Sequence, residues 1–460
     1  MKKEKQFSRV ASLQEEQAFK LLEQEMPKEG LFDQKNWHQS PEPFFISSEL
    51  EEKLEKLGPL LDHFTRACDL LYRQSLQGKQ PAWIASLLDQ GKPPELLELS
   101  RDRAFRTQRA RVIRPDLLLT QKGWIICELD TIPGGLGLTA WLQQVYTKLG
   151  YQVAGGALGM IHGFRSLFES KKGGDILISE EAATYRPEMD YLIKALHHYF
   201  PEEKWRLLSS DDQGPWAREV YRFFELFDLS NIECASNLFE KARKGELLLT
   251  PPPKPQLEEK LWFALFWMKP LEEFWKRELT ERGWRELQEM VPYSWILDPA
   301  PLPPQAVYPK LEAHSWSEVS EFSQQQRHLV IKISGFDERS WGSRGVTIGH
   351  DLSKEEWKRA LSQALEQYPR HPHLLAQFHH SCLISHPYFS SPTEITHMPG
   401  RVRLTPYYFL SSQRVTLAGG LATICPSDKK VLHGMSDAIL VPLGVNLGVK
   451  RYSCEVRCGP

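Results

Sequence analysis

Arg114, Asp116, Glu128 and Asp130 are the residues of this chain whose types and spacing most plainly allow chemistry; they lie in RVIRPDLLLTQKGWIICELDTIPGG, from Arg111 to Gly135. Read as two antiparallel strands, the stretch turns through Gln121-Lys122-Gly123, a three-residue loop with glycine where a left-handed backbone is wanted. Asp116 then falls opposite Glu128 and Arg114 opposite Asp130, and the two-residue period puts all four side chains on one face. Ile113, Leu117, Leu119, Ile125, Cys127 and Leu129 take the other. Three carboxylates within roughly 4 to 6 Å of one another repel by about 3 to 4 kcal/mol per pair at an effective dielectric near ~20. Arg114 offsets one charge, and a hard divalent cation with oxygen ligands, Mg²⁺ where phosphates complete the shell, would offset the rest. The plain alternative is a solvated ladder of ion pairs on an exposed sheet face. Pro115 removes a ladder donor and is expected at an edge or a bulge.

A second cluster follows the strand Leu329 to Ile333, where Lys332 stands amid apolar residues and the chain runs into SGFDERSWGSRGVTIG, with glycines at 335, 342, 345 and 349. Backbone N–H groups of such a loop can wrap phosphates, and Arg339 and Arg344 could add charge-assisted contacts. An exposed hairpin loop is the competing reading. The loop matches neither the P-loop nor the dinucleotide fingerprint.

The elements that must position these residues are read from periodicity. Residues 1–105 are expected to be a helical module, with Ser48-Glu49-Leu50-Glu51 as a capping box opening a helix through Tyr72. Residues 106–250 form an α/β module carrying the carboxylate hairpin, then the helix Leu138 to Leu149, the strand Asp175 to Ser179, the helix Pro187 to Tyr199 and a helical stretch Tyr221 to Arg243. The proline run Thr250 to Pro255 opens a third module, 251–460. It holds a helical stretch Glu258 to Glu289, the strand His328 to Ser334, the helix Lys354 to Tyr368, the strand Leu374 to Phe378 and a β-rich tail from Arg401 to Leu440. The expected class is α/β (α+β).

With 460 residues the chain has room for two or three packed modules. A formal charge of -2 and the absence of a basic stripe argue against nucleic acid as a partner. No apolar run reaches membrane-spanning length, and the basic N-terminus lacks an apolar segment behind it, so no membrane partner and a cytoplasmic location are expected. Seven scattered cysteines read as reduced thiols, with Cys454 and Cys458 the one close pair. The histidines show no zinc spacing.

The order of features is more specific than any one of them. Arg114-x-Asp116 precedes Glu128-x-Asp130, then Lys260 in LEEKLWFAL, Val291-Pro292, Lys332 with its loop, and Gln377 in LLAQF. In this order the chain resembles the circularly permuted ATP-grasp family, and within it the synthetase domain of the glutathionylspermidine synthases. Their R-x-D followed by E-x-N-x-D-T-P-T is similar to R-P-D followed by E-L-D-T-I-P-G-G here. The resemblance implies that Asp116, Glu128 and Asp130 hold Mg²⁺ and that Arg114 faces the transferred phosphate. It implies that Lys260 and Lys332 contact ATP, that Gly335, Gly342 and Gly345 belong to a flexible lid, that Gln377 lies in the strand lining the adenine, and that Arg403 (or Arg401) reaches the phosphates. The implied activity is an ATP- and Mg²⁺-dependent carboxylate–amine ligase acting through an acyl phosphate, with a small-molecule carboxylate and an amine or peptide as substrates. Asp130 stands where the relatives have Asn, and the segment before Pro133 is one residue shorter. A nucleotide-binding but inactive module of the same fold, and a hydrolase using Asp116 and Glu128 as acid and base, are the alternatives.

Overall fold

The structure, a computed structural model, describes residues 8–28, 32, 36–340, 344–411, 414–429, 432 and 437–446. Two compact units divide the chain: Met1–Asp62, Ala104–Pro252 and Ser381–Pro460 make the first, His63–Arg103 and Pro253–His380 the second. The chain passes from one to the other at 62/63, 103/104, 252/253 and 380/381.

The first unit contains an eight-stranded sheet. Its path runs Phe44–Ser47, Ile439–Asn446, Val415–Pro426, Glu394–Leu410, Val112–Thr120 and Gly123–Asp130, with Ser8–Val10 and Leu383–Ser391 also paired to Glu394–Leu410. Every pairing is antiparallel except that of Phe44–Ser47 with Ile439–Asn446. The beginning of the chain is thus not only helical: Ser8–Val10 and Phe44–Ser47 are strands. A second, four-stranded sheet of the unit is all parallel, in the order Lys204–Ser209, Gly173–Ile178, Glu219–Phe223 and Leu248–Thr250. Gly173–Ile178 and Glu219–Phe223 are buried at every position, as parallel strands covered on both faces should be. The helical reading of Tyr221 to Arg243 fails at its start for this reason. Tyr221 and Phe223 are core positions of a strand, and the helix proper is Ala235–Arg243.

The second unit holds a four-stranded antiparallel sheet in the order Val346–Ile348, Leu329–Ile333, His373–Gln377 and Ser294–Ile296. Leu329, Ile331 and Leu375 pack one face of it against Trp295, Trp316, Trp357 and Leu361. The helix Lys354–Glu366 in that core opens on a capping box, Ser353 with Glu356. The expected helix Glu258 to Glu289 is broken: Trp262–Trp267 is one helix, and Glu272–Met290 is itself kinked at Thr280, where φ is 65°. Pro270 supplies no amide for a continuous ladder, and a 3₁₀ turn, Lys269–Leu271, joins them. The long helix Ser48–Leu76 starts one residue away from the expected cap: the Leu50 amide donates to Ser47 Oγ.

Among the described residues no helix is long and apolar enough to cross a membrane. Cys68, Cys127, Cys234, Cys382 and Cys425 are free thiols, and Cys454 and Cys458 lie outside the described residues.

Candidate functional site

The strands Val112–Thr120 and Gly123–Asp130 pair as the spacing predicts at their charged end: Arg114 opposite Asp130, Pro115 opposite Leu129 and Asp116 opposite Glu128. The turn end differs. Thr120 pairs with Gly123, so the loop is the two residues Gln121-Lys122, braced by Thr120 Oγ1 donating to the Gly123 carbonyl at 2.8 Å. Leu117 then opposes Ile126, and a β-bulge leaves Cys127 as the extra residue. That one inserted residue converts the two-residue turn into the register that aligns the charges, and it places Ile126, rather than Cys127, opposite Leu117. Pro115 is accommodated inside the sheet. The ladder to Glu394–Leu410 is in register at Leu117 and Leu118, and again at Val112 and Ile113, and skips the proline between.

That neighbouring strand delivers a second guanidinium. Arg403 pairs with Leu118, two positions along from Asp116 on the same face, and its Nη1 donates to Asp116 Oδ2 at 2.9 Å. Arg114 Nε lies 3.3 Å from Asp116 Oδ1, and Arg114 Nη2 lies 3.1 Å from Asp130 Oδ2. Asp116 is 3% exposed, so this carboxylate depends on both arginines. Burial works against the Arg114 cation, but Asp116 and Asp130 outweigh it and hold the guanidinium above its ordinary value. Burial also pushes the Asp130 carboxyl up, with Arg114 opposing. Asp116, Glu128 and Asp130 against Arg114 and Arg403 leave one negative charge in surplus.

The face continues into the loop after Asp130. Asp130 Oδ1 accepts from the Ile132 amide at 2.8 Å, and the Gly134 carbonyl accepts from Arg114 Nη1 at 3.2 Å and from Tyr407 Oη at 2.9 Å. Gly135 has φ of 84°, a left-handed conformation that glycine tolerates. Its amide donates to Glu188 Oε1 at 2.8 Å, and the Leu138 amide donates to Glu188 Oε2 at 3.1 Å. A fully buried carboxylate from the helix Arg186–Tyr199 therefore caps the helix Leu136–Lys148. Tyr185 packs its ring against Gly134, and burial pushes the hydroxyls of Tyr185 and Tyr407 up to about 12. Both hydroxyls stay neutral near neutral pH. Glu188, Tyr185 and Tyr407 escape sequence reasoning because nothing local marks them; the bonds of Glu188 to the loop span 53 and 50 residues.

The other candidate residues lie in the second unit. Lys332 pairs with Leu374 and Val346, on the face opposite the Trp295 and Trp357 core, whereas Gln377 pairs with Leu329 on the core side. The register does not put those two side chains on one face. Lys260 Nζ donates to the Ser340 carbonyl at 2.5 Å. A Cβ at Gly335 would stand 1.6 Å from the Glu258 carbonyl oxygen, and one at Gly345 2.4 Å from Ile333, so both glycines are demanded by chain packing. Gly342 lies outside the described residues. Arg339 is engaged with Asp337 at 2.9 Å, and Arg401 donates to the carbonyls of Ser427 and Ser381 in the first unit.

Among the described residues no group of three or more His, Cys, Asp or Glu side chains is arranged to hold a metal ion. Asp116, Glu128 and Asp130 share a face without forming a ready-made cage. The rings of His328, His350 and His380 pack with centroids 4.7 to 5.8 Å apart beside Phe378.

The mixed α/β fold is similar to that of a solved glutathione synthetase-like protein. A glutathione synthetase-like effector from Globodera pallida aligns over 94% of this chain and 96% of its own, with a TM-score of 0.53 and 11% identity. A provisionally named gamma-glutamylcysteine synthetase from Methylobacillus flagellatus aligns over 76% of this chain and 84% of its own, with a TM-score of 0.37 and 12% identity. No protein-family model and no curated protein sequence matches the chain.

Proposed function

We propose that the protein is an ATP- and Mg²⁺-dependent carboxylate–amine ligase of the ATP-grasp type, with its carboxylate strands preceding its lysine strand as in the circularly permuted, glutathionylspermidine synthase-like members. The observation that carries this is the charge face of Arg114, Asp116, Asp130 and Arg403 on three neighbouring strands, buried at Asp116 and partly buried at the others, with Glu128 opposite Asp116.

The donors suit the group they would hold. Asp116 Oδ1, Arg114 Nε and Arg403 Nε are buried without a well-formed hydrogen bond, and the first two meet only as an ion pair at 3.3 Å. Mg²⁺ is usually held by one or two carboxylates together with phosphate oxygens rather than by a complete protein cage, so Asp116 and Glu128, with Asp130 beside them, would serve. When bound, it would neutralise charge on the phosphates of ATP. Arg114 and Arg403 present fixed donors to the phosphoryl oxygens on which charge develops. Lys260 and Lys332 hold the nucleotide. Gln377 lies in the strand assigned to the adenine, with its side chain on the face away from Lys332, and Gly335 and Gly345 keep the chain close-packed beside it. The carboxylate substrate attacks the γ-phosphate to form an acyl phosphate, with ADP leaving. The amine then adds to the acyl carbon and inorganic phosphate departs. No protein nucleophile is needed.

The test is ADP and phosphate release from ATP and Mg²⁺ with panels of small carboxylates and amines or peptides. Release that requires both substrates supports the ligase. Nucleotide binding without stimulated release from any mixture would instead make the chain an inactive binding module of the same fold.

A further inference from the structure

Two residues from the first quarter of the chain, Asp69 and Lys92, are ionic partners of the segment that leads to Lys260. Within the second unit Lys92 Nζ donates to one carboxylate oxygen of Glu259 and Ser334 Oγ donates to the other. The Lys92 and Glu259 side chains are 1% and 0% exposed. Lys92 also donates to the Leu88 carbonyl and lies 5.6 Å from the centre of the Phe336 ring. Five residues before Glu259, Lys254 is held by Asp69 at 3.2 Å. Glu258, Glu259 and Lys260 in turn touch the chain that leaves the strand Leu329–Ile333 at three successive places. Gly335 lies against the Glu258 carbonyl, Ser334 bonds to Glu259, and the Ser340 carbonyl accepts from Lys260. Ser340 Oγ closes back onto the Gly335 carbonyl at 3.2 Å.

We infer that Lys92, Glu259 and Ser334 form a buried relay that seats residues 334–340 on the segment Glu258 to Lys260, and that Lys92 is a positioning residue for the nucleotide-binding loop. A buried carboxylate without a cation is severely unfavourable. Glu259 can therefore offer an acceptor to Ser334 in a dry interior only because Lys92 neutralises it. The helices around Lys92 thus fix where a loop more than 240 residues later begins. The consequence for ATP rests on the function proposed above; the seating itself does not.

Hydrogen exchange of the amides at 335–340, ATP affinity and thermal melting, measured on the full chain, test this. Ser334→Ala removes the tether and leaves the buried ion pair. It should speed exchange at 335–340 by about tenfold and weaken ATP binding by a similar factor, without altering exchange in Lys354–Glu366 and with only a small fall in melting temperature. Lys92→Met should do the same and lower the melting temperature much further, because it strands the Glu259 charge. Adding Glu259→Gln to Lys92→Met removes that charge and keeps an acceptor for Ser334, so loop exchange should return toward the unaltered rate. Unchanged exchange at 335–340 in Ser334→Ala, or a double variant as fast-exchanging as Lys92→Met, would overturn the relay. If the unaltered protein binds no ATP, the proposed function fails while the exchange comparison still decides the seating.

Discussion

Arg403 Nη1 lies 2.9 Å from Asp116 Oδ2, a bond that joins two residues 287 positions apart. It matters because Asp116 is nearly sealed from solvent and already faces Arg114. The carboxylate is a bridge between two guanidinium groups, and each of these is left with a buried Nε that has no well-formed partner. Such a bridge orients both donors before any ligand arrives, which is the condition for stabilising developing charge without reorganisation.

If the protein is the proposed ligase, removing the bridge should cut its turnover severely. Asp116→Ala leaves two like charges facing one another and should lower Mg²⁺-dependent ATP turnover by about a hundredfold or more. Breaking a buried pair also costs stability, about 3 kcal/mol by analogy with other one-sided deletions. Glu128→Ala, at a less buried position, should abolish turnover with little change in melting. Steady-state ADP release and thermal melting read both. Unimpaired turnover in either variant would remove these carboxylates from the reaction.

Lys332 is the corresponding test in the second unit. Its side chain leaves the sheet on the face opposite the tryptophan core, so truncation should spare the fold. If it meets phosphate, Lys332→Ala should weaken ATP binding by about 2 kcal/mol, roughly thirtyfold in Kd. Calorimetric titration with ATP and Mg²⁺ measures it, and an unchanged Kd returns Lys332 to the role of a sheet-surface cation.

What could be read from the sequence was whatever depends on nearby residues. The alternation around Asp116 and Glu128 gives the pairing of the charged end, and apolar periodicity gives the strands Leu329–Ile333 and His373–Gln377 and the helices Leu136–Lys148, Arg186–Tyr199 and Lys354–Glu366 within two residues at either end. The bulge at Cys127 was hidden, because a two-residue turn plus one inserted residue yields the same charged register as a three-residue turn. Tyr221 to Phe223 reads as helix from sequence although it is strand, because a short aromatic run carries no unambiguous period. The partners of Glu188, Arg403 and Glu259 lie 50 to 287 positions away. No local pattern encodes contacts that chain topology creates.

Glu188 is a case where such a contact positions the site. It accepts from the amides of Gly135 and Leu138, and the adjoining Gly134 carbonyl receives both Arg114 and Tyr407. Glu188→Ala should cost about 2 to 4 kcal/mol by leaving two buried donors unsatisfied. Glu188→Gln keeps an acceptor for one amide and should cost less. Urea unfolding orders the three proteins, and a Glu188→Ala protein as stable as the unaltered one would show that the cap is dispensable.

His386 sets a pH dependence whose sign follows from its burial. The ring is sealed inside the first unit with Nε2 3.1 Å from Ser40 Oγ, and burial pushes its pKa down to about 3. An exposed histidine in the unfolded chain titrates near ~6.5. Between these values the unfolded chain binds more protons than the folded one, so folding stability rises with pH across that window and is lost on acidification. The slope from this one group approaches about 1.4 kcal/mol per pH unit. His386→Asn removes the titrating group while keeping a polar side chain toward Ser40. It should lower stability at pH 7 through imperfect packing but flatten the fall between pH 6 and 4 by about that slope. Urea midpoints measured across this range separate the two effects. Parallel pH profiles for the variant and the unaltered protein would mean that His386 is protonated without unfolding, and that its burial does not control acid stability.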